Sequence, residues 1–148
     1  MNTRVLLALV CVLATAAHAQ KDSLAKRDQA LLQGEWSMVS GEMDGSSYSG
    51  IMLTGSKRVA VGNETTVTIA GQLFMKATFT LDPTAKPKAI DYAMTGGATA
   101  GRSQLGIYDI WGDSARFCFS EPGFPRPTAF TTAAGNHRTC SVWARKRP

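Results

Sequence analysis

The chain reads as all-β: a single eight-stranded antiparallel up-and-down barrel preceded by a short helix. Three observations predict this. After Gly34, short runs rich in Val, Ile, Thr and aromatic residues alternate with Gly, Asn, Asp and Pro, a texture of strands and turns. Within the runs, apolar and polar residues alternate, which gives each strand one face for a core. Most links between runs are short, as in a meander where each strand pairs with the next. A meander with one apolar face must pack on a second layer or close on itself, and almost no helix is available to cover it. Closure also removes both exposed edges; a two-sheet β-sandwich is the alternative.

The first segment stands apart. A charged start at Arg4 leads into an apolar run from Val5 to Ala17, then Ala17-His18-Ala19 before Gln20. These are the marks of a secretory signal peptide, and the run is short for a membrane span. Residues 1–19 are therefore expected to be removed. The mature chain would carry no membrane span and would sit outside the cytoplasm, in the periplasm, on the envelope or in the medium. Residues 20–33, with Leu24, Leu31 and Leu32 among charges, suit a leader or short helix.

The barrel domain is expected over 34–148, with strands at 35–42, 57–61, 64–70, 72–81, 88–94, 104–111, 114–120 and 137–146. The long links are 43–56, 82–87, 95–103 and 121–136. In the fourth strand Leu73, Met75, Ala77, Phe79 and Leu81 share one side, and in the fifth Ile90, Tyr92 and Met94 do the same. In "GIYDIWGDSARFCF" a tight turn at Gly112-Asp113 sets Ile110 against Ala115 and Tyr108 against Phe117. Asp109 then meets Arg116 on the other face, an opposite-charge pair.

Two cysteines follow the leader, Cys118 and Cys140. If the last two strands pair around the intervening loop, Ser120 faces Arg138 and Cys118 faces Cys140. A disulfide is then possible, worth on the order of 3 kcal/mol; two separate half-buried thiols are the alternative. Removing Arg4 from the 16 Lys and Arg leaves 15 against 11 acidic residues, a balance of +4. Apart from Arg145-Lys146-Arg147 the basic residues are dispersed, which argues against nucleic acid as a partner.

The stretches "LQGEW", "FTLDPTAKPKAID", "LGIYDIWGDSARFCF" and "RPTAF" together resemble an uncharacterised bacterial domain family expanded in planctomycetes. Its pattern runs LQGxW, TLDPxxxPKxID, LGIYxxxGDxLxxCF, RPxxF and a basic last strand. The match extends in order from Leu32 to about Arg147, with Glu35 where a small polar residue is usual and Ala115 where leucine is usual. The resemblance implies a lipocalin-like barrel with no established activity. Lipocalins carry a G-x-W on the first strand whose tryptophan packs against an arginine on the last. Here Gly34-Glu35-Trp36 supplies the first half, and Arg145 is the candidate for the second, closing the barrel base by a cation–π contact.

Chemistry is sparse. The only histidine after the leader is His137, three residues from Cys140 and so on the opposite face of a strand; no catalytic residue is assigned and no enzyme is expected. One His and two Cys lack the spacing of a zinc site, which needs about four ligands, so neither a metal nor a cofactor is expected. "GGATAGRS" has P-loop-like spacing, yet it leads into a strand instead of a helix that could hold phosphate.

What remains is the interior. An eight-stranded barrel is just wide enough to be filled by side chains or to hold one small ligand. The inward set is expected to be Trp36, Met38, Val67, Phe79, Leu81, Ile90, Tyr92, Tyr108, Ile110, Phe117, Phe119 and Trp143. Ala77 and Ala115 are small enough to leave room among them. The leading expectation is an exported barrel that binds a small, largely apolar molecule, with Phe79, Tyr92, Tyr108, Phe117, Phe119 and Trp143 as ligand-facing residues. The alternative is a filled barrel serving as a structural or protein-interaction module at the cell envelope. That alternative leans on the 121–136 loop, where Phe124, Pro125 and Pro127 could be exposed.

Overall fold

Eight strands close into an antiparallel barrel, with a helix against one end and a ninth, very short strand near the other. The computed structural model describes residues 3–148, with side chains in the first helix described from Val10 onward. Met1, Asn2 and the side chains through Leu9, which begin the expected signal peptide, lie outside the described residues. The elements are α1 (Thr3–Leu31), β1 (Gly34–Met43), β2 (Ser46–Ser47), α2 (Ile51–Thr54), β3 (Ser56–Val61), β4 (Glu64–Ile69), β5 (Gln72–Asp82), β6 (Ala89–Gly97), β7 (Ser103–Trp111), β8 (Ser114–Ser120) and β9 (Arg138–Arg145).

Strands β3 to β9 pair each with the next, and β1 closes the ring by pairing with β3 on one side and β9 on the other. β3 covers only residues 34–37 of β1, and β2 pairs with Glu42 and Met43 farther along the same edge. β9 follows β1 from Trp36 to Met43. The 43–56 link thus holds two elements, β2 and α2, that alternation alone did not mark because each is too short for a period.

Register follows the apolar faces. Around the Gly112-Asp113 turn, Ile110 pairs with Ala115, Tyr108 with Phe117 and Asp109 with Arg116. Gly112 supplies the positive φ of 54° that this turn requires. Ser120 pairs with Arg138 and Cys118 with Cys140, and the two cysteines form a disulfide.

The predicted inward set is buried or packed against the core cluster throughout. One strand departs. A bulge between Val67 and Thr68 shifts the β4–β5 pairing, so Thr68 meets Leu73 and Phe74 is left unpaired. Leu73 is therefore turned outward, 54% exposed, instead of sharing the face of Met75, Ala77 and Phe79.

The helix expected over 20–33 is the final part of α1, which runs unbroken through the Ala- and Leu-rich leader. Residues 10–20 are all exposed, and burial begins at Lys21. Leu32, just past the helix, enters the core, whereas Leu31 stays 40% exposed. Among the described residues no helix is long and apolar enough to cross a membrane.

The 121–136 loop is strapped to the barrel wall. Arg126 donates from Nη1 to Gly106 O at 2.7 Å and Ile90 O at 3.2 Å, and pairs with Asp91 at 2.7 Å. Pro127, a candidate for exposure in the filled-barrel alternative, is instead fully buried, because these bonds pull the loop inward. Phe124 keeps 39% exposure while its ring stacks on His137.

Candidate functional site

The two ends of the barrel differ in packing, and the difference locates the site. At one end Trp36 is buried to 1%. Its Nε1 donates to Leu32 O at 3.0 Å, and the Arg145 guanidinium carbon stands 4.2 Å from its ring centroid. Arg145 also donates to the carbonyls of Leu31 and Gln33, groups left unpaired where α1 ends. Gln33 fixes the same corner by exchanging two hydrogen bonds with Gly62 in the β3–β4 turn.

Helix α1 seals this base. The carboxylate of Asp28, 3% exposed, accepts from Lys88 Nζ at 2.8 Å and from Tyr108 OH at 2.7 Å. Burial, and then the hydrogen bond it donates to Asp28, push the Tyr108 hydroxyl well above the usual tyrosine range, so it stays a donor. Lys21 pairs with Asp82 at 3.0 Å. The Thr84 hydroxyl and Lys21 hold the Asp82 carboxyl down at about 2.

Midway up the interior lies Arg58 of β3, 7% exposed. Its Nη1 donates to Tyr92 OH at 2.6 Å and to Thr65 Oγ1 at 3.2 Å. The guanidinium lies between the rings of Phe117 and Trp143, 4.4 and 4.7 Å from their centroids. Below it lies a void of about 10 Å³ walled by Trp36, Phe79, Ile90 and Phe117, room for a single water at most.

Above Arg58 the interior opens into a cavity of about 220 Å³ that reaches the mouth. Met38, Met43, Met52, Met75 and Met94 all line it; the chain has six methionines, and the sixth is Met1. Thioether side chains are flexible and polarizable, so they make this wall apolar and adaptable. Phe74, Phe119, Tyr92 and Trp143 add aromatic surface, and Ser56, Gln104, Thr139 and Ser141 add small or polar groups.

Two close contacts shape this wall. A Cβ at Gly106 would lie 2.4 Å from the Phe119 ring, so the glycine in "LGIYDIW" gives Phe119 its place against Tyr92, 4.1 Å between centroids. At Gly41 a Cβ would lie 2.3 Å from the Tyr48 ring, which flanks the mouth. Burial raises the Tyr48 hydroxyl above its usual value, opposed by a hydrogen bond with Thr139.

Of the residues expected to face a ligand, Tyr92, Phe119 and Trp143 line the cavity. Phe79 and Phe117 lie at the small void below Arg58, and Tyr108 is committed to Asp28 at the base. Ala77 and Ala115, both fully buried, line neither the cavity nor the small void. The opening lies instead where Ser56, Thr139 and Ser141 join the methionines on the wall.

Sequence reasoning missed Arg58, although a signal was present. With Val67 inward and a two-residue turn at Gly62-Asn63, pairing places Arg58 opposite Val67 and on the same face. It also missed the meeting of Asp44, Glu121 and His137 at the rim. Their ligand-type atoms lie within 4.8 Å of one another, brought together by Glu121 accepting from His137 at 3.2 Å and Asp44 from the His137 N–H at 2.7 Å. Those internal bonds already occupy the group. An outer hollow of about 560 Å³ lies between Lys88, Arg116 and Phe130, a surface groove beside the strapped loop and outside the barrel.

Fold and cavity together define a closed antiparallel barrel, sealed at one end and open at the other. A scan against family models and searches of curated proteins and of solved structures returned no match to this chain.

Proposed function

We propose that the protein is an exported, lipocalin-like barrel of the planctomycete-type domain family that binds a small, largely apolar molecule in its upper cavity and carries out no catalysis. The observation that carries this reading is the methionine- and aromatic-lined cavity of about 220 Å³ open to the mouth. Its size is equivalent to roughly seven water-sized groups, below the usual range for drug-sized ligands. The guest is therefore small or slender, with any longer part emerging through the mouth. A binding role over nucleophilic catalysis is supported by the disulfide, which occupies both cysteines after the leader.

Export is supported by the signal-like residues 1–19 and by the disulfide, a bond favoured in oxidising compartments. The exposed stretch 10–20 adds to this, because cleavage after Ala19 leaves Lys21 and Asp28 to hold α1 on the barrel. Family membership rests on the four ordered motifs. One of them, "RPTAF", contains the Arg126 that straps the long loop to the wall.

Native mass spectrometry of protein purified from its own source, followed by titration with apolar probes, tests the reading. Trp143 lines the cavity, so saturable quenching that disappears in Trp143→Phe is expected. No co-purified mass together with no saturable quenching returns the protein to the filled-barrel alternative.

A further inference from the structure

We propose that the cavity takes an apolar molecule ending in a carboxylate, bound head-down with the carboxylate on Arg58 and the hydrocarbon toward the mouth. The inference rests on the binding reading above and names its ligand class.

A guanidinium is always charged and offers five N–H donors. Arg58 is buried, yet among the described residues its hydrogen bonds engage Nη1 alone, and Nε is buried with no partner. Among the described residues no carboxylate lies within ion-pair distance of it, although nine other Lys or Arg ion pairs are formed. A buried charge is ordinarily paired with an opposite one. The faces of Phe117 and Trp143 offset part of the burial cost, but they leave the in-plane donors unanswered. An anion arriving from the cavity would supply the acceptor that Nη2 lacks, while Nε stays closed off from the cavity.

The neighbouring groups set the polarity of binding. Arg58 and Tyr92 line both the cavity and the small void beneath it, so they form the cavity floor. Tyr92 OH accepts from Arg58, which leaves its own proton for a second oxygen of the guest. Toward the mouth stand Met43, Met52 and Phe74, with the carboxylate of Glu121 at the rim. That arrangement suits hydrocarbon and repels a second anion. The cavity volume matches a chain of about seven or eight carbons below the mouth.

The test compares octanoate and octanol binding to the full protein by isothermal titration, in the native sequence and in Arg58→Met and Tyr92→Phe. The expected result is octanoate bound more tightly than octanol. Arg58→Met should weaken octanoate by about 10- to 100-fold, the range for charge-assisted hydrogen bonds, while leaving octanol within about twofold. Tyr92→Phe should weaken octanoate several-fold, and it keeps the proposal testable if Arg58→Met fails to fold. Equal binding of the two probes, unchanged in both variants, overturns the carboxylate assignment and leaves the apolar-cavity reading standing. Binding of neither probe overturns both.

Discussion

Replacing Trp36 with alanine tests whether the sealed end carries the stability of the barrel. The ring is 1% exposed, and emptying a fully buried tryptophan site costs about 3 to 5 kcal/mol. Part of that total comes from the Nε1 bond to Leu32 O at 3.0 Å, about 1 kcal/mol. A further part, about 0.5 to 2 kcal/mol, comes from the Arg145 guanidinium over the ring at 4.2 Å. Trp36→Phe separates these contributions: it keeps most of the ring but leaves the Leu32 carbonyl unpaired, for an expected loss of about 1 to 2 kcal/mol. Equilibrium urea unfolding followed by far-UV circular dichroism measures both variants without relying on tryptophan emission. Because Trp36 lies below Arg58, probe affinity of the folded fraction should stay within about twofold, a change too small to signal a lost contact. A loss under about 1 kcal/mol for Trp36→Ala, with probe binding abolished, would refute the assignment of Trp36 to closure and move the site to the other end.

Other expectations follow from single contacts. Cys118→Ala/Cys140→Ala should lose about 3 kcal/mol, the loop-closure value for a separation of 22 residues; reductant should lower the melting temperature of the native sequence but not of this variant. Asp82 has its folded pKa depressed from 3.8 to about 2, first by Thr84 and then by Lys21. Its contribution is thus full above the unfolded value and disappears as pH falls through the folded one. Melting temperature should fall between about pH 4 and 2, and Asp82→Asn should flatten that part of the profile. Gly106→Ala forces the Phe119 ring to move by meeting it at 2.4 Å, costing about 1 to 3 kcal/mol; the same variant should change probe affinity, read by the titration used for octanol.

Much of the barrel was legible because alternation and turn chemistry act locally. "GIYDIWGDSARFCF" encodes its own register: Gly112 forms the turn, and every β7–β8 pair follows from it. Alternation failed at Leu73, where a bulge reverses the face within one residue. Pro127 was misjudged because Arg126, bonded to two carbonyls of the wall, draws the loop down.

The site was less legible. On hydropathy alone Val59 and Val61 would be the inward residues of β3, yet Val61 is 71% exposed and Arg58 is buried. Only the pairing of Arg58 with Val67 across the β3–β4 turn decides it. Likewise, the aromatic inward set gave the interior its character without its depth. Phe79 and Phe117 fall below Arg58, while Phe119 and Trp143 stand at or above it.

The amino-acid order alone settled the eight barrel strands, the β7–β8 register and most of the apolar face, since each depends on residues close in the chain or on one turn. Tertiary structure decided which end is sealed and which is open, through Asp28 of α1 meeting Lys88 and Tyr108 some 60 and 80 residues away. It also gathered the methionines of β1, α2, β5 and β6 around one space and set Arg58 at its floor. Depth within a closed barrel is fixed by the stagger of all its strands together, and no single segment carries that information.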